Sequence, residues 1–317
     1  MGLTTHHKVM YADAVKDLAG FQQQSLLKAL VSHEAKKGEV VFLDAVSPDD
    51  EADITAMSSL KSRKTYEAIG SPTLADWVAI QTPHMEINRQ RTLCYPYESI
   101  WSHWFRKEDE IAELANPQGK TLRQGNKRIV RRQDQLILNA GFAATVSRGK
   151  DTSGAADVDF PVGQMINVTD GIFDKEVCSE IRRVFEENYA GDERIVCVIS
   201  PTAKKELIDN SGDKIHSSDF VTPQGYFENG TLPDVYGVHC MVHPQINEQA
   251  TTQGWDDVFL AFSMDGIVYN QFEPMESPLD QSIAHKNQYI AMMREFIGSA
   301  RCDDKRVIQG RLDTSLS

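Results

Sequence analysis

The sequence predicts an α+β protein, and three stretches carry that prediction. Residues 117–144, PQGKTLRQGNKRIVRRQDQLILNAGFAA, hold the longest helical pattern of the 317 residues. Residues 172–272 alternate short helices with apolar strands. Residues 286–300 alternate as one long strand, with Gly298 as a bend.

From the N-terminus, residues 11–35 read as an amphipathic helix through Val15, Leu18, Leu26, Leu27, Leu30 and Val31, weakened at Gly20 and ended by Gly38. A Gln-rich helix at that end reads as an arm that docks on something else. A short strand follows at 39–43. Residues 58–95 lack a core signature, with Lys61, Arg63 and Lys64 read as solvated and 84–88 with 91–95 as an extended hairpin. Trp101, Trp104 and Phe105 anchor an expected helix over 99–115, ending in acidic Glu108, Asp109, Glu110 and Glu113.

The long helix follows, with Pro117 near its start and Gly141 as its stop. Leu122, Ile129, Leu136, Ile137 and Ala140 form its apolar stripe, interrupted by Gln133. Lys120, Arg123, Lys127, Arg128, Arg131 and Arg132 make the rest of its surface basic. Such a helix is roughly 35 Å long and needs a sheet or another helix along it. Residues 147–163 read as a hairpin tip.

Next come a helix over 174–189, with Ile172 near its start, and a continuously apolar strand over 194–200. A helix follows over 201–209, then strands over 235–243, 255–262 and 267–272. Gly237 marks a close approach, Asp265-Gly266 a turn, and 273–278 a proline-punctuated loop. Residues 306–312 are expected to pair with the long strand 286–300.

Hydrophobic residues make up 41% of the chain and charged residues 25%, enough for a sizeable core; the length suits two domains. A formal net charge of −13 argues against a generic nucleic-acid binder. The cysteines, Cys94, Cys178, Cys197, Cys240 and Cys302, are odd in number, scattered and without a CxxC pair, which suits reduced intracellular thiols. No stretch has the length of a membrane-spanning helix, and no signal-peptide core opens the chain.

The best metal candidate is His239-Cys240-Met241-Val242-His243. Strand alternation puts both histidines on one face, but no third ligand is supplied. The Gly149–Gly154 run lacks phosphate-loop spacing, GxSxG is absent, and Cys178 and Cys197 have no histidine partner in local sequence. Asp157 with Asp159, and Asp256 with Asp257, sit beside turns as solvated acids. No catalytic site, cofactor site or metal site is expected. The basic helix face suits pairing with acids, such as the 108–113 run, or contact with DNA phosphates.

Taken in order, these segments resemble the major capsid protein of tailed double-stranded DNA bacteriophages, the Hong Kong 97-type fold. Residues 128–141 (RIVRRQDQLILNAG) resemble the spine helix, and 194–208 the strand-to-helix step of the axial domain. Val235-Tyr236-Gly237-Val238-His239 resembles a later axial strand, and 290–301 the returning peripheral strand. The resemblance implies an N-terminal arm (1–38), an extended loop (39–95), a peripheral domain with the spine helix (96–167), an axial domain (168–265), and returning strands with the C-terminus (266–317). It implies hexamers and pentamers closing an icosahedral head around double-stranded DNA. Assembly would take place in the bacterial cytoplasm, with portal and decoration proteins as partners. No long charged segment precedes the arm, so a separate scaffolding protein is expected. On this reading Lys61, Arg63, Lys64, Arg123, Lys127, Arg128, Arg131 and Arg132 are candidates for assembly or charge pairing. An encapsulin-like shell around protein cargo shares the fold; a metal-dependent hydrolase using His239 and His243, and a DNA-binding adaptor, are readings from other classes.

Overall fold

The structure is a computed structural model and describes residues 25–38, 41–46, 89–105, 120–148, 156–188, 190–210, 234–276, 279–282 and 288–313. Its strands form three sheets. In the first, β1 (Ser32–Glu34) lies parallel to β11 (Ile267–Glu276), which pairs antiparallel with β13 (Gln288–Arg301). One side of β13 also takes β12 (Leu279–Ser282), and the other takes β4 (Tyr97–Phe105) along nine paired positions. At about 3.3 Å per residue this one strand spans the sheet. The second sheet runs β7 (Met165–Val168), β14 (Val307–Leu312), β10 (Asp257–Phe262), β8 (Ile195–Ile199), β9 (Val238–Val242). The third joins β2 (Val41–Val46), β3 (Arg89–Cys94), β5 (Thr145–Arg148) and β6 (Ala156–Asp159).

The long helix α1 (Lys120–Phe142) lies on the first sheet and reaches the second. Ile129, Leu136, Ile137 and Ala140 are buried as the periodicity predicts, and Leu138 joins them. Two glycines let α1 approach so closely. A Cβ on Gly125 would stand 2.7 Å from the Trp101 ring of β4, and one on Gly141 would stand 2.4 Å from a Leu260 methyl of β10. The helix runs one residue past Gly141, which therefore acts as a packing notch.

Strands β8 and β10 explain the continuous apolar runs. Val196 and Val198, with Leu260 and Phe262, face the core beneath α1; Ile195, Cys197 and Ile199, with Phe259 and Ala261, face the core beneath α2 (Lys175–Glu187). Both faces of this sheet are covered, so neither needs polar alternation. Asp174 caps α2 by accepting from the Glu176 and Val177 amides. Helices α3 (Pro201–Asn210) and α4 (Ile246–Gln253) follow β8 and β9. Tyr236 (φ 52°) and Gly237 (φ 76°) form a left-handed turn into β9, so the glycine serves backbone conformation.

Five expectations are corrected. The expected helix over 99–115 is strand β4 over its described part: Ser99 and Trp101 are buried while Glu98, Ile100 and Ser102 are exposed, a period of two. The expected 11–35 helix is a 3₁₀ turn (Lys28–Leu30) and β1 over its described part, and Leu27 and Val31 join the main core. Residues 307–312 do not pair with β13; the 303–306 turn carries the chain into the second sheet, where β14 pairs with β10 and β7. Strand β11 runs on through Glu276 with register shifts where a loop was expected. Before α2, Phe173 is buried while Ile172 is exposed. Of the expected 84–95 hairpin, the described part is β3, which pairs with β2; residues 84–88, Lys61, Arg63, Lys64 and the 108–113 acids lie outside the described residues.

Candidate functional site

The basic surface of α1 divides along its length. Lys127, Arg128 and Arg131 are exposed; Arg132 is half-buried and donates to Gln135 Oε1 at 2.7 Å. Among the described residues no carboxylate pairs with Lys127, Arg128 or Arg131. Lys120 and Arg123 lie in the first turns of α1, where only the backbone is described. The structure thus brings Lys127, Arg128 and Arg131 to one solvent-facing stripe.

The opposite face of α1 holds polar contacts that hydrophobic periodicity overlooks. Gln133 donates from Nε2 to both carboxylate oxygens of Glu295 on β13, at 3.1 and 2.9 Å. Asp134 is buried and joins three parts of the chain. Its Oδ1 accepts from Ser25 Oγ and from the Leu27 amide at 3.2 Å, and its Oδ2 lies 3.2 Å from His243 Nε2 beyond β9. A buried carboxylate needs several such partners to offset its desolvation. The local signal for this joint was weak: a polar run, Gln133-Asp134-Gln135, between the apolar positions Ile129 and Leu136 of the stripe.

His239 and His243 are engaged by different carboxylates. His239 Nδ1 lies 2.7 Å from Asp234 Oδ1, while His243 is held by Asp134. Among the described residues no group of three or more His, Cys, Asp or Glu side chains is arranged to hold a metal ion. All five cysteines are free and buried. Burial pushes the Cys94 thiol up to about 12 and raises Cys302. Contact with Cys240, then burial, raises Cys178; burial, then the same contact, raises Cys197. Thiols held this far up are poor nucleophiles at neutral pH. Among the described residues no helix is long and apolar enough to cross a membrane.

Where β13 ends, Arg301 is fully buried. Its Nε donates to Asp304 Oδ1 at 2.7 Å, Nη1 donates to the Ala143 carbonyl just past α1 at 2.6 Å, and the guanidinium lies 4.4 Å from the Phe160 ring centre. Asp304 also accepts two bonds from Arg148 of β5, at 2.9 and 2.8 Å. This cluster ties all three sheets to the C-terminal end of α1.

The other face of the first sheet is covered by β2 and β3 around Val268, Phe272 and Ala300, while its part along β4 is exposed. Cross-strand register puts Glu98, Ile100, Ser102 and Trp104 of β4 on the same face as Phe296, Arg294, Met292 and Ile290 of β13. Ile100 is 55% exposed and Trp104 is 38% exposed, with Met292 and Phe296 half-buried beside them. Charge interrupts this face: Arg294, opposite Ile100 in register, pairs with Glu276 at 3.0 Å and its guanidinium lies over Phe296. Exposed apolar side chains interspersed with charge, as Ile100 and Trp104 are with Glu98 and Arg294, suit a protein-association surface.

A long helix along a sheet spanned by one strand, beside a second sheet covered on both faces, is the Hong Kong 97-type capsid fold. The sequence profile of the family described as "Phage capsid protein" matches residues 3–314, and the chain belongs to that family. As a phage major capsid protein, it is a structural component of the virion. Solved structures share the fold at low sequence identity. The capsid of cyanophage P-SCSP1u is 14% identical, with TM-score 0.60, over 92% of this chain and 89% of that one. The capsid of Ralstonia phage GP4 is 9% identical, with TM-score 0.57, over 92% of each chain. A virus-like particle from Pyrococcus furiosus is 9% identical, with TM-score 0.57, over 97% of this chain and all of that one. No curated protein sequence is recognisably similar.

Proposed function

We propose that this protein assembles through hexamers and pentamers into an icosahedral head enclosing double-stranded DNA, acting without catalysis. The observation that carries self-assembly is the exposed apolar face of β4 and β13, around Ile100 and Trp104. Many weak contacts of this kind, repeated by symmetry, sum to a stable shell. On this reading residues 1–38 are the arm, 39–95 the extended loop, 96–167 the peripheral domain with α1 as its spine, 168–265 the axial domain and 266–317 the returning strands. Assembly takes place in the host cytoplasm with a separate scaffolding protein, a portal and, where present, decoration proteins.

The test is negative-stain microscopy of purified full-length protein, alone and with its scaffold, plus an assay of nuclease-protected DNA in particles from infected cells. Shells or capsomers are expected, and a strict monomer at high concentration overturns the proposal. Shells that form around protein cargo instead of DNA favour an encapsulin-like compartment.

The stripe of Lys127, Arg128 and Arg131 supplies the charge that meets acidic partners or packaged DNA. The double substitution Arg131→Glu with Arg132→Glu reverses four units of charge while replacing one exposed and one half-buried side chain. Shell yield is expected to fall about tenfold or more at low salt, with partial recovery in about 0.5 M salt as screening shortens the Debye length. Unaltered yield, read by sedimentation, would mean that these charges are merely solvated.

A further inference from the structure

Segment 25–34 closes one side of a cavity of about 440 Å³. Lys28 and His33 line it from this segment, Asn126 and Gln133 from α1, and Gln271 and Glu295 from the first sheet. Glu295 is 1% exposed, its carboxylate met by the Gln133 amide described above. Among the described residues no cation comes within ion-pair distance of it. We propose that Glu295 is a proton-operated latch for segment 25–34, holding it on α1 and the sheet when protonated and loosening it when ionised.

Every neighbouring element bears on the carboxyl. From the segment, Lys28 attracts it, with Nζ 4.9 Å from the Tyr269 ring centre, and His33 packs edge-on to the same ring at 5.5 Å. From β11, the Tyr269 hydroxyl is buried without a hydrogen-bond partner among the described residues; burial raises its titration first, and the charges of Glu295 and Asp134 add to that. From α1 come neutral Gln133 and, one residue on, Asp134. From β4, Ser99 stands opposite Glu295 in register and is neutral. Arg294 points to the other face of the sheet.

Burial pushes Glu295 up to about 7, against smaller opposing pulls from Gln133 and Lys28. Lifting segment 25–34 hydrates the carboxyl and returns it toward its ordinary value near 4.5. Between those two values the seated state holds a proton that the lifted state has lost, so lifting becomes easier as pH rises and levels off above about 7. The opening equilibrium then grows roughly thirtyfold between about pH 5.5 and 8.5.

The segment's own backbone reports this equilibrium. The Leu27 amide bonds to Asp134, the Lys28 amide to Ser25 Oγ and the Ser32 amide to the Met264 carbonyl. Hydrogen exchange of the full-length protein, normalised at each pH to an unstructured reference peptide, gives the opening constant at those amides. The expected result is a rise of about tenfold or more across neutrality. Glu295→Gln should abolish the rise and keep the segment protected at high pH, and Lys28→Met should move the midpoint upward. His33→Gln should leave the profile in place. A flat wild-type profile, an unchanged midpoint in Glu295→Gln, or a profile lost in His33→Gln instead, each overturns the proposal.

Discussion

Replacing Asp304 by alanine is expected to destabilise the subunit by about 3–5 kcal/mol, because two buried guanidiniums lose their common counter-charge. Arg301 is fully buried, and Arg148 is nearly so, with both nitrogens of its fork on Asp304. Burial already lowers the Arg301 titration, and the attraction of Asp304 opposes that shift. Without the carboxylate, Arg301 and Arg148 repel one another in a poorly solvated site. Asp304→Asn should cost less, since the amide oxygen still accepts one bond. A double-mutant cycle with Arg301→Met isolates the coupling, and the double variant should be less destabilised than the sum of the singles. Urea denaturation of unassembled subunits measures all three. A loss below about 1 kcal/mol for Asp304→Ala would show that water, not Asp304, satisfies the arginines.

The Arg301 cluster also shows why part of the fold escaped sequence reasoning. Residues 307–312 follow β13 so closely that a hairpin is the economical expectation. What redirects the chain is the 303–306 turn, whose Asp304 is held by arginines 3 and 156 residues away. Such a long-range tie leaves no periodic trace. Strand β4 failed differently: Trp101, Trp104 and Phe105 are spaced i, i+3, i+4, as on a helix, while the true alternation runs through Ser99 and Trp101. Only Gly125, on another element but packed directly against the Trp101 ring, reveals why Trp101 must point inward.

By contrast, α1, β8 and β10 were legible because each is buried along its own length in a pattern local sequence can express. A helix of 23 residues with one apolar stripe has few alternatives, and a strand buried on both faces reads as an unbroken apolar run. The buried polar joints were less legible. Gln133 looks like a flaw in the stripe until Glu295 appears opposite it, and Asp134 looks solvated until Ser25, Leu27 and His243 converge on it. In both cases the partner lies more than 100 residues away. The basic stripe was visible in sequence, whereas the apolar face at Ile100 was hidden by the helical misreading of β4.

That face carries the strongest assembly expectation. Ile100→Glu combined with Trp104→Glu should leave the subunit folded and stop it assembling. Ile100 is the more exposed of the two, and Trp101 rather than Trp104 packs against Gly125 of α1, so the fold should lose only about 1–2 kcal/mol. In a contact between copies, the same two side chains contribute about 2 kcal/mol each by burial, so their loss costs roughly 4 kcal/mol per contact, about a thousandfold in its dissociation constant. Buried carboxylates without partners add to that cost. Because each subunit in a closed ring makes the contact repeatedly, the penalty multiplies around the ring and no partial shell should persist. Sedimentation should show the variant as free subunits at concentrations where the wild type forms capsomers, with an unchanged circular dichroism spectrum and a cooperative melting transition. Shells of normal size and yield from the variant would move the assembly contact elsewhere on the molecule, and the exposed stripe of Lys127, Arg128 and Arg131 would then be the next surface to reverse.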